Sequence, residues 1–246
     1  MKLEIKETSI TLPFIGKKKI LEGKGDFSDI DIRLFKEQSK NFFYGTIHPT
    51  IVNLNEDLFE GMKKVSNYTI LIDLKASEEE IWDDLDRKSI RWGINYAKKN
   101  GLKTYINKIE NEVTFRISKE GEENSLAFAE GLLIIDNVNE YSILEATRVT
   151  EEGKKFQAMP LMYWEMILYS KKNGMLSMDL GGYGGDKSYG KKINDIDTFK
   201  ARFGGKVVEQ PIYATNWKYP FFRKILKLFS FTKSWYKKDK NEETGY

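Results

Sequence analysis

Pro160–Gly185, PLMYWEMILYSKKNGMLSMDLGGYGG, followed by Ile196–Glu209, IDTFKARFGGKVVE, reads as helix, strand, glycine-rich loop, helix and strand. Pro160 suits the first turn of a helix, where its missing N–H would be unpaired anyway. Leu161, Trp164 and Leu168 fall on one helical stripe, Lys171 and Lys172 complement the negative end, and Gly174 stands where a left-handed residue closes the last turn. Met175–Leu180 follows as a strand. After the loop, Asp195 or Asp197 is the expected cap of a short helix through Phe203, Gly204 ends it, and Val207–Val208 opens a last strand.

Outward from that stretch, Tyr68–Leu74 (YTILIDL) has the length and branched composition of a buried strand. Ser77, with Glu80 three residues on, is a capping-box start: the serine oxygen accepts a free helix N–H and the glutamate reaches back. Ile81, Leu85, Ile90, Ile94 and Ala97 recur at helical spacing up to Gly101, and the stripe slips near Lys88, which predicts two helices or one with a bend. Leu126–Ile135 and Tyr141–Val149 read as an antiparallel hairpin turning at Asp136–Glu140. Residues 1–67 read as strand-rich. Crossover helices imply parallel pairs and the hairpin an antiparallel one, so the prediction is an α+β chain with a mixed sheet flanked by helices. That order is similar to the GNAT-like acyl-CoA N-acyltransferase fold.

Composition narrows the chemistry. The 246 residues are 40% hydrophobic, enough for a substantial core, and the 31% charged residues nearly cancel to +3, so no global field marks a dedicated nucleic-acid binder. There is no cysteine, which excludes disulfides, thiolate nucleophiles and zinc–thiolate clusters. The single histidine, His48, excludes a metal site built from several histidines and is read as a structural residue at a strand or turn boundary. The N-terminal MKLEIKETSITLPF lacks the apolar core of a secretory signal, and no run reaches the ~18–20 apolar residues that cross a bilayer. The expected setting is cytoplasmic.

The residues resemble the FemAB-like peptidyltransferases, GNAT-superfamily acyltransferases that add amino acids to peptidoglycan precursors. The resemblance is carried by Arg91-x-x-Ile94-x-x-Ala97-Lys98-x-x-Gly101, Ala129-x-Gly131-Leu132-Leu133, Pro160…Trp164-x-x-Ile167…Gly174, Asp179-Leu180-Gly181-Gly182 and Phe199-Lys200-x-x-Phe203-Gly204-Gly205 with Val208-Glu209 after it. It implies a shortened member: a strand-rich remnant of a first GNAT-like domain over residues 1–67, a GNAT/FemAB-like domain over 68–236, and a disordered tail over 237–246. It further implies an N-acyltransferase of cell-wall biogenesis that moves an aminoacyl or acyl group to an amine of a peptidoglycan or polysaccharide precursor. No permanently bound cofactor is expected. The co-substrate would be aminoacyl-tRNA or acyl-CoA, and the acceptor a nucleotide- or lipid-linked glycan or peptide. An acyl-CoA N-acetyltransferase for an amino sugar or small amine, and a catalytically degenerate binding protein, stand as alternatives.

Acyl transfer to an amine requires two oriented substrates, a proton acceptor and stabilisation of a developing oxyanion. Lys200, in the segment that in the family lies beside the donor's 3′ end, is the first candidate, as a cation for a phosphate or the transition state; the alternative is a solvated lysine on a short helix. Phe199 would fix the direction in which Lys200 projects. Asp179, at a strand end, is a base or the holder of the glycine loop. Arg91 is by resemblance a phosphate or carboxylate clamp, its fork suiting bidentate contacts, against pairing with Asp84 or Asp86. Gly181, Gly182, Tyr183 and Arg202 complete the candidate substrate-binding residues.

Three further stretches bear on the chemistry. Gly181, then four residues, then Asp186-Lys187-Ser188 nearly spells a phosphate-binding loop, but an aspartate replaces the second glycine and would repel phosphates. Glu151–Met159 (EEGKKFQAM) stands where typical GNAT enzymes carry a glycine-rich turn for coenzyme A, and it holds one glycine. The C-terminal WKYPFFRKILKLFSFTKSWYKKDK interleaves aromatics with lysine and arginine, a pattern for an anionic membrane surface or RNA phosphates, against a terminal helix packing Phe222, Ile225, Leu226 and Phe229 on the domain.

Overall fold

The structure, a computed structural model, describes residues 4–12, 15–50, 55–121, 127–184 and 191–228. In chain order it runs β1 (Glu4–Leu12), β2 (Gly16–Gly25), α1 (Asp29–Ser39), β3 (Gly45–Pro49), β4 (Lys63–Val65) and β5 (Tyr68–Asp73). Next come α2 (Glu78–Asp84), α3 (Trp92–Lys99), β6 (Leu102–Ile109), β7 (Glu112–Lys119), β8 (Ala129–Asp136) and β9 (Tyr141–Val149). The remainder is α4 (Glu151–Lys155), α5 (Ala158–Lys172), β10 (Ser177–Tyr183), α6 (Lys191–Ala201), β11 (Lys206–Glu209), β12 (Ile212–Ala214) and α7 (Lys218–Leu228). The chain forms two units: Met1–Tyr68 with Gly184–Asn194 and Glu209–Tyr246, and Thr69–Tyr183 with Asp195–Val208. The expected tail over 237–246 lies outside the described residues.

The second unit carries a seven-stranded sheet in the order β11-β5-β10-β9-β8-β7-β6. The β8–β9 hairpin pairs antiparallel around Asp136↔Tyr141, and the α5 crossover delivers β10 parallel to β9, with Asp179 opposite Ile143. Both pairings are those the sequence predicts, and the sheet is mixed. The second crossover lands one strand further than neighbouring order suggests, because β5 lies between β10 and β11. α5 is apolar on nearly all sides, with Leu161, Met162, Trp164, Met166 and Ile167 at most 3% exposed, as befits a helix packed on more than one face. A Cβ on Gly131 of β8 would lie 2.4 Å from Met166 Cε, so glycine lets this helix approach the sheet.

The capping box at Ser77 is present, with Glu80 N–H donating to Ser77 Oγ at 3.1 Å and Ser77 N–H donating to Glu80 at 2.7 Å. The slip near Lys88 has a physical form: a π-helical turn over Arg87–Arg91 separates α2 from α3. Lys171 does more than offset a helix dipole, since its ammonium donates to the carbonyls of Leu74 at 2.9 Å and Ala76 at 2.6 Å, closing the end of β5. Asp195 and Asp197 are not caps. They lie inside α6, which begins at Lys191.

The first unit holds a five-stranded sheet ordered β1-β2-β3-β12-β4, in which β12 pairs antiparallel with both β3 and β4. Its core gathers Leu21, Ile32, Phe35, Ile47, Phe59 and Tyr213, with the last two rings stacked at 4.1 Å. α1, unread in the sequence, buries Ile32 and Phe35 and carries its own capping box at Ser28. Tyr219 and Phe222 of α7 pack beside Ile10, Leu12, Ile20 and Tyr44. His48 lies in β3, next to its last residue.

Candidate active site

β10 runs between β5 and β9, which places Asp179 where both neighbours can reach it. Its carboxylate is fully buried and accepts from Thr69 Oγ1 on β5, from Tyr141 OH on β9 at 2.5 Å, and from the Gly181 N–H at 2.6 Å. A buried carboxylate is tolerated only when its lone pairs are taken by donors, and three are supplied here. Burial pushes the Tyr141 hydroxyl pKa well up, and the adjacent Asp179 charge and hydrogen bond add to that, so Tyr141 stays a proton donor.

Gly181 adopts a left-handed φ of +77°, which lets the strand end curl back toward its own Asp179. Lys200 lies against this curl. Its ammonium donates to the Gly182 carbonyl at 3.1 Å, and a Cβ on Gly181 would meet the same ammonium at 3.5 Å. Burial pulls the Lys200 pKa below that of an ordinary lysine, an effect opposed by Asp179 and Asp197. The half-buried cation is therefore held by a loop carbonyl and two nearby carboxylates.

The end of α6 and the turn after it are aromatic. Phe199, Phe203 and Tyr163 form a mutual cluster with centroids 5.1–5.3 Å apart. Burial raises the Tyr163 pKa to about 12, eased by a hydrogen bond with Thr147. Gly204, at φ +79°, ends the segment where a Cβ would lie 2.6 Å from Asp84 Cβ, and one on Gly205 would lie 2.5 Å from Ile70 Cγ2. The Phe-Gly-Gly sequence thus anchors α6 by a buried ring followed by two positions without room for a side chain.

The structure brings Lys200, Asp179, Gly181 and Gly182 together, with Phe199 behind them and Tyr183 half-buried against the core. It does not bring Arg91 to that group. The Arg91 guanidinium donates to Asp83 Oδ1 at 2.9 Å, to the Asp83 carbonyl at 3.1 Å and to the Leu85 carbonyl at 3.1 Å, so its fork clasps the preceding turn. Its partner is Asp83, not Asp84 or Asp86. Arg202 is exposed, and its carbonyl accepts from Asp86 N–H at 2.8 Å. A cavity of about 470 Å³ opens near Arg91's partner, lined by Glu78, Glu79, Trp82, Asp83 and Trp164.

Thr69 and Tyr141 are the members of the site that sequence reasoning missed. The available signal was Thr69 inside an otherwise apolar strand, since a hydroxyl at a fully buried position needs a partner. The segment at Glu151–Met159 forms α4, capped by Thr150, whose Oγ1 accepts from Gly153 N–H at 3.0 Å. The N–H groups of Lys154, Phe156 and Gln157 donate within the same turns.

Residues 106–212 match the model of the FemAB family. No curated relative matches the chain in sequence. Among solved structures, FemX superposes with a TM-score of 0.59 at 10% identity, covering 90% of each chain. L-PGS from Bacillus licheniformis gives 0.58 at 10% identity, covering 89% of this chain and 88% of that one. The C-terminal DUF2156 domain of an Agrobacterium fabrum protein described as a lysylphosphatidylglycerol synthetase gives 0.61 at 12% identity, with 89% and 87% covered. The matched segment, under half of the chain, holds Asp179, the Gly181–Gly182 curl and Lys200 and excludes Arg91, and the α+β fold is shared with FemX and L-PGS.

Proposed function

We propose that this chain is an aminoacyltransferase that moves an aminoacyl group from its tRNA ester to an amine of a cell-envelope precursor. The observation that carries the reading is the Lys200 ammonium, half-buried and fixed on the Gly181–Gly182 curl within the FemAB-matched segment. A cation so held can stabilise the oxyanion that forms when an amine attacks the ester carbonyl. The ester C–O bond then breaks, the amide forms, and the proton released by the amine passes to the departing ribose oxygen or to water. FemX and L-PGS share the fold, which supports the class of reaction.

The choice of donor is supported by α4. A turn that cradles the pyrophosphate of coenzyme A must offer free backbone N–H groups, and here those of Gly153, Lys154, Phe156 and Gln157 are already bonded within the segment. That favours aminoacyl-tRNA over acyl-CoA. Transfer assays with aminoacyl-tRNA and with acyl-CoA, against nucleotide- and lipid-linked precursor amines, test the choice. Turnover with the RNA donor alone is expected; turnover with acyl-CoA alone would reverse the donor, and none with either would leave a binding protein.

The acceptor's location is addressed by α7. Trp217 and Phe221, 60% and 46% exposed, pack edge to face beside the exposed Lys224. Adjacent exposed aromatics with a lysine suit the interface of an anionic bilayer, which supports a lipid-linked acceptor. No helix among the described residues is long and apolar enough to cross a membrane. Co-sedimentation with phosphatidylglycerol vesicles should fall at least fivefold in the double variant Trp217→Ser/Phe221→Ser; equal sedimentation of the wild type and variant would remove the membrane contact.

A further inference from the structure

We infer that Thr69 and Tyr141 are positioning residues for Lys200: from two strands they lock the Asp179 carboxylate, which locks the Gly181–Gly182 curl on which the lysine rests. This rests on the proposed transferase reading only for its consequence in catalysis. The mechanical chain is visible link by link. Thr69 Oγ1 and Tyr141 OH donate to different oxygens of Asp179, and the Thr69-bound oxygen also accepts from Gly181 N–H at 2.6 Å. The next carbonyl, that of Gly182, receives the Lys200 ammonium at 3.1 Å. Three strands and α6 thus converge on one side chain of four methylenes, which would otherwise sample many rotamers.

The network also has an electrostatic consequence. The charged groups facing Lys200 are Asp179 from β10 and Asp197 from its own helix, and both favour its ammonium form against burial. Two hydroxyl donors and one N–H fix the direction of the Asp179 carboxylate. Removing one donor frees that carboxylate to turn away from Lys200, weakening its support for the Lys200 cation. The sign follows: a lysine whose cation is less supported loses its proton at lower pH, so any property requiring the ammonium is lost earlier as pH rises.

Tyr141→Phe and Thr69→Val remove one donor each, and Thr69→Ser restores it. Two readouts separate positioning from mere packing. The first is the pH dependence of Lys200 labelling by trinitrobenzenesulfonate, followed by mass spectrometry of its peptide with the other lysines as internal controls. Labelling requires the free amine, so its onset should move to lower pH in Tyr141→Phe and Thr69→Val and return to the wild-type position in Thr69→Ser. The second is aminoacyl transfer, whose alkaline limb should move the same way, with kcat reduced about tenfold from loss of aim. Folded variants whose Lys200 labelling keeps the wild-type pH dependence overturn the inference, as does failure of both Tyr141→Phe and Thr69→Val to fold, which would make the cluster purely structural. A shifted labelling curve with no transfer by the wild type upholds the positioning network and removes the transferase reading instead.

Discussion

Lys200→Ala is expected to lower kcat for aminoacyl transfer by about 10²–10³-fold, the scale seen when one preorganised oxyanion donor is removed. The loss should fall on kcat more than on KM, because the charge it stabilises develops only in the transition state. Stability should change little, by about 1 kcal/mol or less, since the side chain is half-buried and its ammonium donates to a carbonyl at the strand end. The pH dependence has a definite sign. The folded pKa lies below the unfolded one, so the ammonium is present below the folded pKa and lost as pH rises through it; burial disfavours the charged form, and that cost to folding is relieved over the same rise. Activity that needs the cation should therefore decline at a lower pH than an ordinary lysine would dictate. Stopped-flow or discontinuous transfer assays on the purified variant, with thermal melts alongside, provide the check. Full activity in a folded Lys200→Ala protein would sink the assignment of Lys200 while leaving the fold untouched.

Phe203→Ala should cost about 3–5 kcal/mol of unfolding free energy, the usual range for a fully buried aromatic truncated to alanine. Phe203 is 1% exposed and touches the rings of Tyr163 and Phe199 at 5.1 and 5.3 Å. Gly204 and Gly205 press against Asp84 and Ile70, so the backbone around the hole is constrained on its far side and cannot easily collapse into it. The cavity part of the cost should therefore be paid in full. Because Lys200 lies three residues before Phe203, at the end of α6, activity should fall as well, but with a lowered denaturation midpoint that distinguishes it from Lys200→Ala. A midpoint shift equivalent to less than about 1 kcal/mol would show that α6 is held by other contacts.

The parts of this molecule that were legible in its sequence are those where periodicity and turn chemistry agree. The α5 stripe with Pro160 and Gly174, the capping box at Ser77, and the β8–β9 hairpin all depend on neighbours within a few residues, and each is found where expected. The β6–β7 hairpin and α1 were not read. Their strands and helix mix exposed apolar residues such as Ile106, Ile109, Ile30 and Leu34 into the solvent face, which blurs the alternation that marks a half-buried element. The start of α6 was misplaced because an aspartate inside a helix looks like a cap in sequence. At the site, the Lys200–glycine neighbourhood was accessible through the motif order. The partner of Arg91 and the Thr69 and Tyr141 donors to Asp179 were not: those two donors reach Asp179 only through the fold, and Arg91 chose Asp83 through the geometry of a π-helical turn that no spacing rule announces.

The position of β12 bears on the order in which this protein can be made. Ile212–Ala214 lies between β3 and β4 in the five-stranded sheet and bonds to both. Until those three residues leave the ribosome, β3 and β4 each present an open ladder edge, although both were synthesised some 150 residues earlier. The strands β6 to β10, by contrast, are contiguous in sequence apart from the helices that connect them and can pair as they emerge. Translation thus lets β6 to β10 pair around Asp179 while β3 and β4 still lack the strand that joins them, leaving those N-terminal edges exposed for most of the chain's synthesis and in need of protection from other chains.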